Sequence, residues 1–148
     1  MDKRYYTPVE MMKIATQHAY CADNLLRNHV PGRAEWDNRD SLLSIVSLMY
    51  IAFEITLRAY LLHDYRPVKQ PKNLSELLEL NRDLVFSSQD MQLLKSLSRQ
   101  FAFRKGIDYN LWEHRQEFEV FCSEIVGLYE RLQKMMPLEL QEDYLQIG

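Results

Sequence analysis

Residues Ser41–His63 read SLLSIVSLMYIAFEITLRAYLLH, and this stretch decides the fold. Its side chains are apolar on nearly every side of a helix, so the helix belongs in a protein core or in a membrane. Glu54 and Arg58 stand one turn apart in its middle, with the acid first, which is the order that favours a helix. Two opposite charges at mid-span argue against a membrane. The stretch therefore predicts the buried central helix of a bundle.

The composition of the whole chain indicates one all-α domain, residues 1–148. A chain of 148 residues has the size of a single domain, and 47% hydrophobic residues are enough to form a core. Glycine (4) and proline (5) are scarce, which favours long uninterrupted helices over a turn-rich β fold. The net charge of -3 provides no overall basic field, so contact with nucleic acid would need a local basic patch.

The cysteines and the N-terminus indicate the compartment. Cys21 and Cys122 lie far apart, match no zinc-site spacing and stand among apolar neighbours, so we expect reduced core thiols. Residues 1–13 (MDKRYYTPVEMMK) contain no apolar signal core. We therefore expect a cytoplasmic protein with no membrane segment.

Local signals predict four long helices and one short helix. Thr7 and Glu10 form a capping box that starts the first helix, which we expect to run to about His29. Polar residues at 37–40 (DNRD) can cap the central helix. The remaining helices are expected at 74–80 after a cap at Asn73, from Ser87 to about Lys105 with Gly106 as C-cap, and from about Asn110 to Met135, where Pro137 ends the last one. The sequence leaves open whether the tail 137–148 docks on the bundle or packs loosely.

Two places can hold an anion. Arg58 either pairs with Glu54 at the rim of the core or points into a cleft, where its guanidinium matches carboxylate or phosphate geometry. The turn at 103–109 (FRKGIDY) puts two cations at a helix end, beside an acid and a phenol. The helix dipole alone also favours cations there, so both explanations stay open. The residues of this second place are Arg104, Lys105, Asp108 and Tyr109.

Signals for metals, cofactors and conventional hydrolysis are missing from the sequence. The four histidines form no convincing set with other metal ligands at helical spacing, so we expect no metal. The chain has no glycine-rich phosphate loop and no nucleophile elbow, and no cofactor is expected. Tyrosines and tryptophans near helix ends are typical of interfaces, and they favour a homodimer. The histidines are His18, His29, His63 and His114.

A family resemblance joins these features. Residues 52–61 (AFEITLRAYL) resemble the A-x-E-x-x-L-K-A-x-L signature of HEPN domains, with Arg58 in place of the usual lysine. Residues 72–77 (KNLSEL) stand where the family often has H-x-L-x-x-L, with Lys72 replacing the histidine. A loop beginning with arginine, here Arg104, and a long closing helix follow in the family's order. The resemblance covers about residues 41–132.

This resemblance implies an antiparallel up-down bundle, frequently dimeric, with one of two roles. Some HEPN domains cleave RNA without metal, using an arginine followed four to six residues later by a histidine near the start of the last helix. Here Arg104 precedes His114 by ten residues, with Gly106 between them. Arg27 and His29 resemble that dyad only superficially, because they end the first helix. Other members are non-cleaving modules that bind nucleotides or act as scaffolds, sometimes beside a nucleotidyltransferase.

We therefore expect a non-catalytic HEPN-like domain that binds a protein partner or an anionic ligand containing a nucleotide or phosphate. The partner implied by the resemblance is a second copy, a nucleotidyltransferase or an antitoxin. One alternative is a metal-independent RNase of a toxin–antitoxin or defence system, using Arg104 and His114. Another is a purely structural oligomerisation module. The expected ligand contacts are Arg58, Arg104 and Lys105, with Asp108 and Tyr109 at the rim.

Overall fold

A computed structural model describes residues 6–29, 35–64, 74–81, 84, 86–102 and 115–141, without the side chains of 35–40, 100–102 and 115. These residues form five α-helices and one short 3-10 helix, and they contain no strand. The predicted all-α class, with four long helices and one short one, is confirmed. The helices are α1 (Pro8–Arg27), α2 (Glu35–His63), α3 (Leu74–Leu80), α4 (Ser88–Ala102) and α5 (Arg115–Met135), followed by the 3-10 helix Leu138–Leu140.

Reciprocal capping starts two of the long helices. The Glu10 amide donates to Thr7 Oγ1 at 3.1 Å, and the Thr7 amide donates to Glu10 Oε1 at 3.0 Å. This is the capping box that the sequence predicts. Ser87 and Asp90 make the same exchange at the start of α4, at 3.0 and 3.3 Å. Each pair satisfies backbone donors that have no partner within the helix itself.

The predicted start of α2 is wrong. Residues 37–40 were expected to cap the helix, but α2 already begins at Glu35 and includes them. The positive N-terminal end of a helix favours acidic residues in its first turns, so Glu35, Asp37 and Asp40 are compatible with helix as well as with a cap. At the end of α1 the difference is smaller, since the helix ends at Arg27. The cap expected at Asn73, the end of α4 at Lys105 with Gly106, and the start of α5 at Asn110 all lie outside the described residues.

Helix α2 occupies the centre of the bundle and packs against each of the other four helices. Its stretch Ser41–His63 is long and apolar enough to cross a membrane. However, 56% of the 18-residue window on which this judgement rests is buried inside the protein. This burial is typical of the core helix of a soluble bundle. The fully buried residues of α2 include Ile45, Met49, Ala52, Phe53, Leu57 and Ala59.

Side-chain contacts give the relative directions of the helices. Three residues taken in chain order along α2 contact three residues in the same order along α5 and the segment after it. Helices α2 and α5 therefore run in the same direction. Helix α1 ends near the start of α5, where His29 meets Glu119, and it also contacts the 3-10 helix, so it runs opposite to α5. The three contacts from α2 are Leu42 O with Cys122 Sγ (3.8 Å), Thr56 with Tyr129 (2.8 Å) and His63 with Glu139 (3.6 Å).

The first part of the C-terminal tail docks on the bundle. Helix α5 ends at Met135, as predicted, and Pro137 begins the turn that leads into the 3-10 helix. Leu140 is completely buried, and the Gln141 side-chain Nε2 donates to the Met136 carbonyl at 2.8 Å. The burial of Leu140 anchors residues 137–141. Residues 142–148 lie outside the described part of the chain.

Candidate functional site

The charge pair of the central helix lies at the rim of the core. Arg58 Nε is 3.6 Å from Glu54 Oε1, and the two side chains remain 28% and 33% exposed. At this exposure an ion pair contributes little to stability, about 0–1 kcal/mol. Arg58 also makes a further contact within the protein. Its guanidinium is therefore partly exposed at the rim of the core and already has partners within the protein.

The predicted cationic turn at 103–109 lies outside the described residues. Arg104, Lys105, Asp108 and Tyr109 lie outside the described residues, and so does His114. Whether these side chains approach Arg58, and whether Arg104 approaches His114, stays a prediction.

Arg27 and His29, which resemble the RNase dyad in sequence, occupy different environments. Arg27 is 75% exposed and pairs with Asp23 at 2.9 Å, one turn earlier on α1. His29 is only 3% exposed, and its Nε2 lies 2.9 Å from Glu119 Oε1 on α5. One side chain extends into solvent and the other points into the bundle, so they do not form a joint site.

A buried polar cluster surrounds His29 where the end of α1 meets the start of α5. Among the described residues, His29 Nδ1 is buried and has no hydrogen-bond partner. Burial raises the pKa of the Cys122 thiol to about 12, and the negative charge of Glu119 contributes to the increase. A thiol with such a pKa stays protonated at neutral pH and is a poor nucleophile. The contacts in this cluster are those of a structural core.

The expectation that both cysteines are core thiols is wrong for Cys21. Cys122 is buried, but Cys21 is exposed on α1. Apolar neighbours in the sequence do not decide burial on a helix, because successive residues point in different directions. Ala15 and Ala22, two turns apart, face the core instead.

A cationic groove between α3 and α4 was not predicted. It is open and encloses about 570 Å³. Its cations, Lys95 and Arg99, stand one turn apart on α4, and Arg99 donates to Ser96 Oγ at 3.3 Å. The described residues that line it include no carboxylate, although Lys95 also borders a neighbouring hollow that contains Glu79. The lining residues are Ser75, Gln92, Lys95, Ser96 and Arg99.

The sequence carried one signal for this groove, the spacing of Lys95 and Arg99. Cations four residues apart on an amphipathic helix are normally read as its solvated face. The groove depends on the neighbouring helix, because Ser75 of α3 approaches α4 and its hydroxyl donates to Ser98 Oγ at 3.4 Å. This approach of α3 to α4 is a tertiary feature that helical periodicity does not reveal.

Metal ligands do not cluster in the described part of the chain, where no three His, Cys, Asp or Glu side chains are placed to hold an ion. Comparison of the chain with models of protein families, with curated proteins and with solved structures finds no match.

Proposed function

We propose that this protein is a non-catalytic HEPN-like bundle that binds an anionic, phosphate-containing ligand and acts in the cytoplasm as a homodimer. The observation that carries the proposal is the groove between α3 and α4. There two cations and the hydroxyl groups of two serines line one surface, and no carboxylate is found among the described lining residues.

The electrostatics of the groove favour an anion. The chain has a net charge of -3, so a site with two cations and no described acid differs in sign from the molecule as a whole. Guanidinium binds phosphate oxygens through paired N–H donors, and lysine adds a compact positive charge. The Ser96 hydroxyl accepts from Arg99 and can donate its own proton to a phosphate oxygen. The groove therefore combines the charge and the donors that a phosphate group needs.

The groove also adjoins the predicted cationic turn along the chain. Helix α4 carries Lys95 and Arg99 and is described as far as Ala102, two residues before Arg104 in the chain. We propose that Arg104 and Lys105 extend the positive surface beyond the end of α4. Asp108 and Tyr109 then border the ligand, with the Tyr109 ring available for stacking on a base. Arg58, half-buried on α2, is the remaining proposed contact.

The helix directions support the HEPN-like part of the proposal. Helix α2 runs with α5 and against α1, as an up-down order of the long helices requires. Several large apolar side chains are exposed, and we propose that some of them contact a second copy of the chain or a protein partner. By the resemblance, the partner would be a nucleotidyltransferase or an antitoxin. These exposed side chains are Tyr6, Tyr20, Leu62, Leu80, Val120, Met135 and Leu138.

Calorimetric titration of the full chain with a panel of nucleotides and inorganic pyrophosphate at low salt tests the proposal. We expect saturable binding that weakens with added salt and is lost or strongly reduced in Arg104→Ala. No binding by any member of the panel would refute the anion site, and unchanged binding by Arg104→Ala would remove this residue from it. Light scattering at micromolar protein concentration tests the homodimer, and a monomer would contradict it.

The RNase hypothesis is tested with the same purified protein. Incubation with total RNA in the presence of a chelator is expected to leave the RNA intact, for the wild type and for His114→Ala alike. Cleavage by the wild type that disappears in His114→Ala would replace the non-catalytic proposal. The structural-module hypothesis predicts dimerisation without any ligand.

A further inference from the structure

We infer that a cleft between α1 and α5 binds a small organic cation, namely a primary amine carried on an apolar or aromatic body. The cleft shares no lining residue with the α3–α4 groove, so this inference does not rest on the anion proposal.

The size of the cleft limits its occupant. It encloses about 270 Å³ between the facing surfaces of α1 and α5. Sites for drug-sized ligands enclose about 300–1,000 Å³, so this cleft suits a fragment-sized molecule and is small for a nucleotide. It is lined by Thr16, Ala19, Tyr20 and Asp23 of α1, by Met49 of α2, by Val126, Tyr129, Glu130, Gln133 and Lys134 of α5, and by Gln141.

The floor is apolar and rigid. Met49 is completely buried, while Val126 and Tyr129 are 6% and 3% exposed. The Tyr129 hydroxyl is hydrogen-bonded to Thr56 at 2.8 Å, and its ring meets the ring of Phe53 edge to face at 5.3 Å between centroids. Because Thr56 and Phe53 already fix the Tyr129 side chain, the floor loses little conformational freedom when a ligand binds, which favours affinity.

One wall offers an aromatic surface to solvent. Tyr20 is 69% exposed on α1, and its side chain borders the cleft. The apolar part of a ligand bound on this floor would cover part of the Tyr20 ring. Aromatic rings also attract ammonium groups through the negative charge of their faces. Tyr20 is therefore suited to contact both the body and the charged end of an amine.

The charges of the lining favour a cation. The lining carries two acids, Asp23 and Glu130, and one cation, Lys134. Asp23 is already paired with Arg27 at 2.9 Å, but Glu130 makes no ion pair with any residue that the structure describes. Glu130 is exposed to solvent, and a bound ammonium group would form an ion pair with it. A carboxylate ligand would meet repulsion from both acids.

The helix directions locate the charges along the cleft. Because α1 and α5 run in opposite directions, Thr16 lies towards Lys134, and Asp23 lies towards Val126. Glu130 stands one turn before Lys134 on α5. Glu130 therefore lies between the end of the cleft marked by Asp23 and the end marked by Lys134, and we place the ammonium group on the side of Glu130 that faces away from Lys134.

Titration of the full chain with 2-phenylethylamine, followed by NMR and calorimetry, tests the inference. The matched probes are 2-phenylethanol, which keeps the body without the charge, and 3-phenylpropionate, which reverses the charge. We expect saturable binding of the amine, at least about tenfold weaker binding of the alcohol, and no binding of the carboxylate. Equal affinity for amine and alcohol would overturn the cation assignment, and so would preference for the carboxylate. Absence of binding by all three probes would overturn the site.

Conservative variants connect the binding to the named acids. Glu130→Gln and Asp23→Asn each keep the shape of the side chain and are expected to weaken amine binding about three- to tenfold, with no change for the alcohol. Glu124→Gln serves as the control, since Glu124 is exposed on the same helix and does not line the cleft. If Glu130→Gln binds the amine like the wild type, or Glu124→Gln weakens it equally, the assignment is wrong.

Discussion

The hydroxyl groups of Thr56 and Tyr129 lie 2.8 Å apart inside the core and join the central helix α2 to α5. Thr56 is completely buried and Tyr129 is 3% exposed, so neither hydroxyl can reach water freely. Burial makes this contact important for both hydroxyl groups, because a buried polar group needs hydrogen-bond partners. Because Tyr129 also lines the cleft between α1 and α5, the same contact fixes the floor of that cleft.

Removing either hydroxyl is expected to destabilise the fold. Tyr129→Phe and Thr56→Val should each reduce the free energy of unfolding by about 1–3 kcal/mol, because each leaves a buried polar group without this partner. The double variant should lose less than the sum of the two, with a coupling of about 0.5–3 kcal/mol. Urea unfolding of the four proteins measures this cycle, and strictly additive losses would contradict the pairing.

A glycine within α5 provides a stabilising substitution. Gly127 lies in the interior of the helix, and a Cβ added there would have no atom within 4 Å. Gly127→Ala is therefore expected to raise the free energy of unfolding by about 0.5–1 kcal/mol, because alanine loses less backbone freedom on folding. Thermal unfolding measures the effect. A lower stability would mean that this surface of α5 is covered in solution.

The two cysteines should react differently. Ellman's reagent is expected to modify exposed Cys21 rapidly in the native protein and to reach buried Cys122 only after unfolding. Two fast thiols in the native state would contradict the burial of Cys122. Cys21→Ser should remove the fast phase and leave the slow one.

The raised pKa of Cys122 also gives a stability change with pH. In the unfolded chain the thiol ionises near 9.0, but in the folded protein only near 12. Above pH 9.0 the unfolded state loses a proton that the folded state keeps, so this contribution is fully present below pH 9.0 and is lost as the pH rises towards 12. Urea unfolding of Cys122→Ala should show a weaker decline with alkaline pH than the wild type. An identical decline in both proteins would contradict this account.

His29 and Arg27 should differ in their contribution to stability. His29→Ala removes one partner of Glu119 inside the bundle and is expected to cost about 1–3 kcal/mol. Arg27→Ala removes an exposed ion pair and should change stability by less than about 1 kcal/mol. Circular dichroism during chemical unfolding measures both. Equal effects would show that the two residues do not have the separate roles that their exposure indicates.

Strong local patterns made much of the fold predictable from the sequence. The leucine spacing of LSELLEL placed α3 at 74–80, and the Thr7–Glu10 box placed the start of α1. The polar segment before the central helix has no apolar periodicity, so its helical state was missed. The exposure of Cys21 was also missed, because neighbouring residues in a sequence point in different directions around a helix.

Neither surface proposed to bind a ligand was found in the sequence, although Lys95 and Arg99 provided a partial signal. The groove needs α3 beside α4, and the cleft needs α1 antiparallel to α5, which lies about a hundred positions away in the chain. Such juxtapositions are set by packing, which local periodicity does not encode. The residues predicted to contact the ligand, apart from Arg58, fall outside the described part of the chain.

The central claim is that the groove between α3 and α4 binds phosphate. Calorimetric titration of the Lys95→Ala/Arg99→Ala double variant, with the ligand that binds best from the nucleotide panel, tests it most directly. The control is Lys13→Ala/Arg27→Ala, which removes the same charges from α1, where both residues are exposed. We predict about a 5- to 30-fold loss of affinity in the groove variant, corresponding to about 1–2 kcal/mol, and a much smaller change in the control. Equal losses in the two variants, or no loss in the groove variant, would contradict the claim.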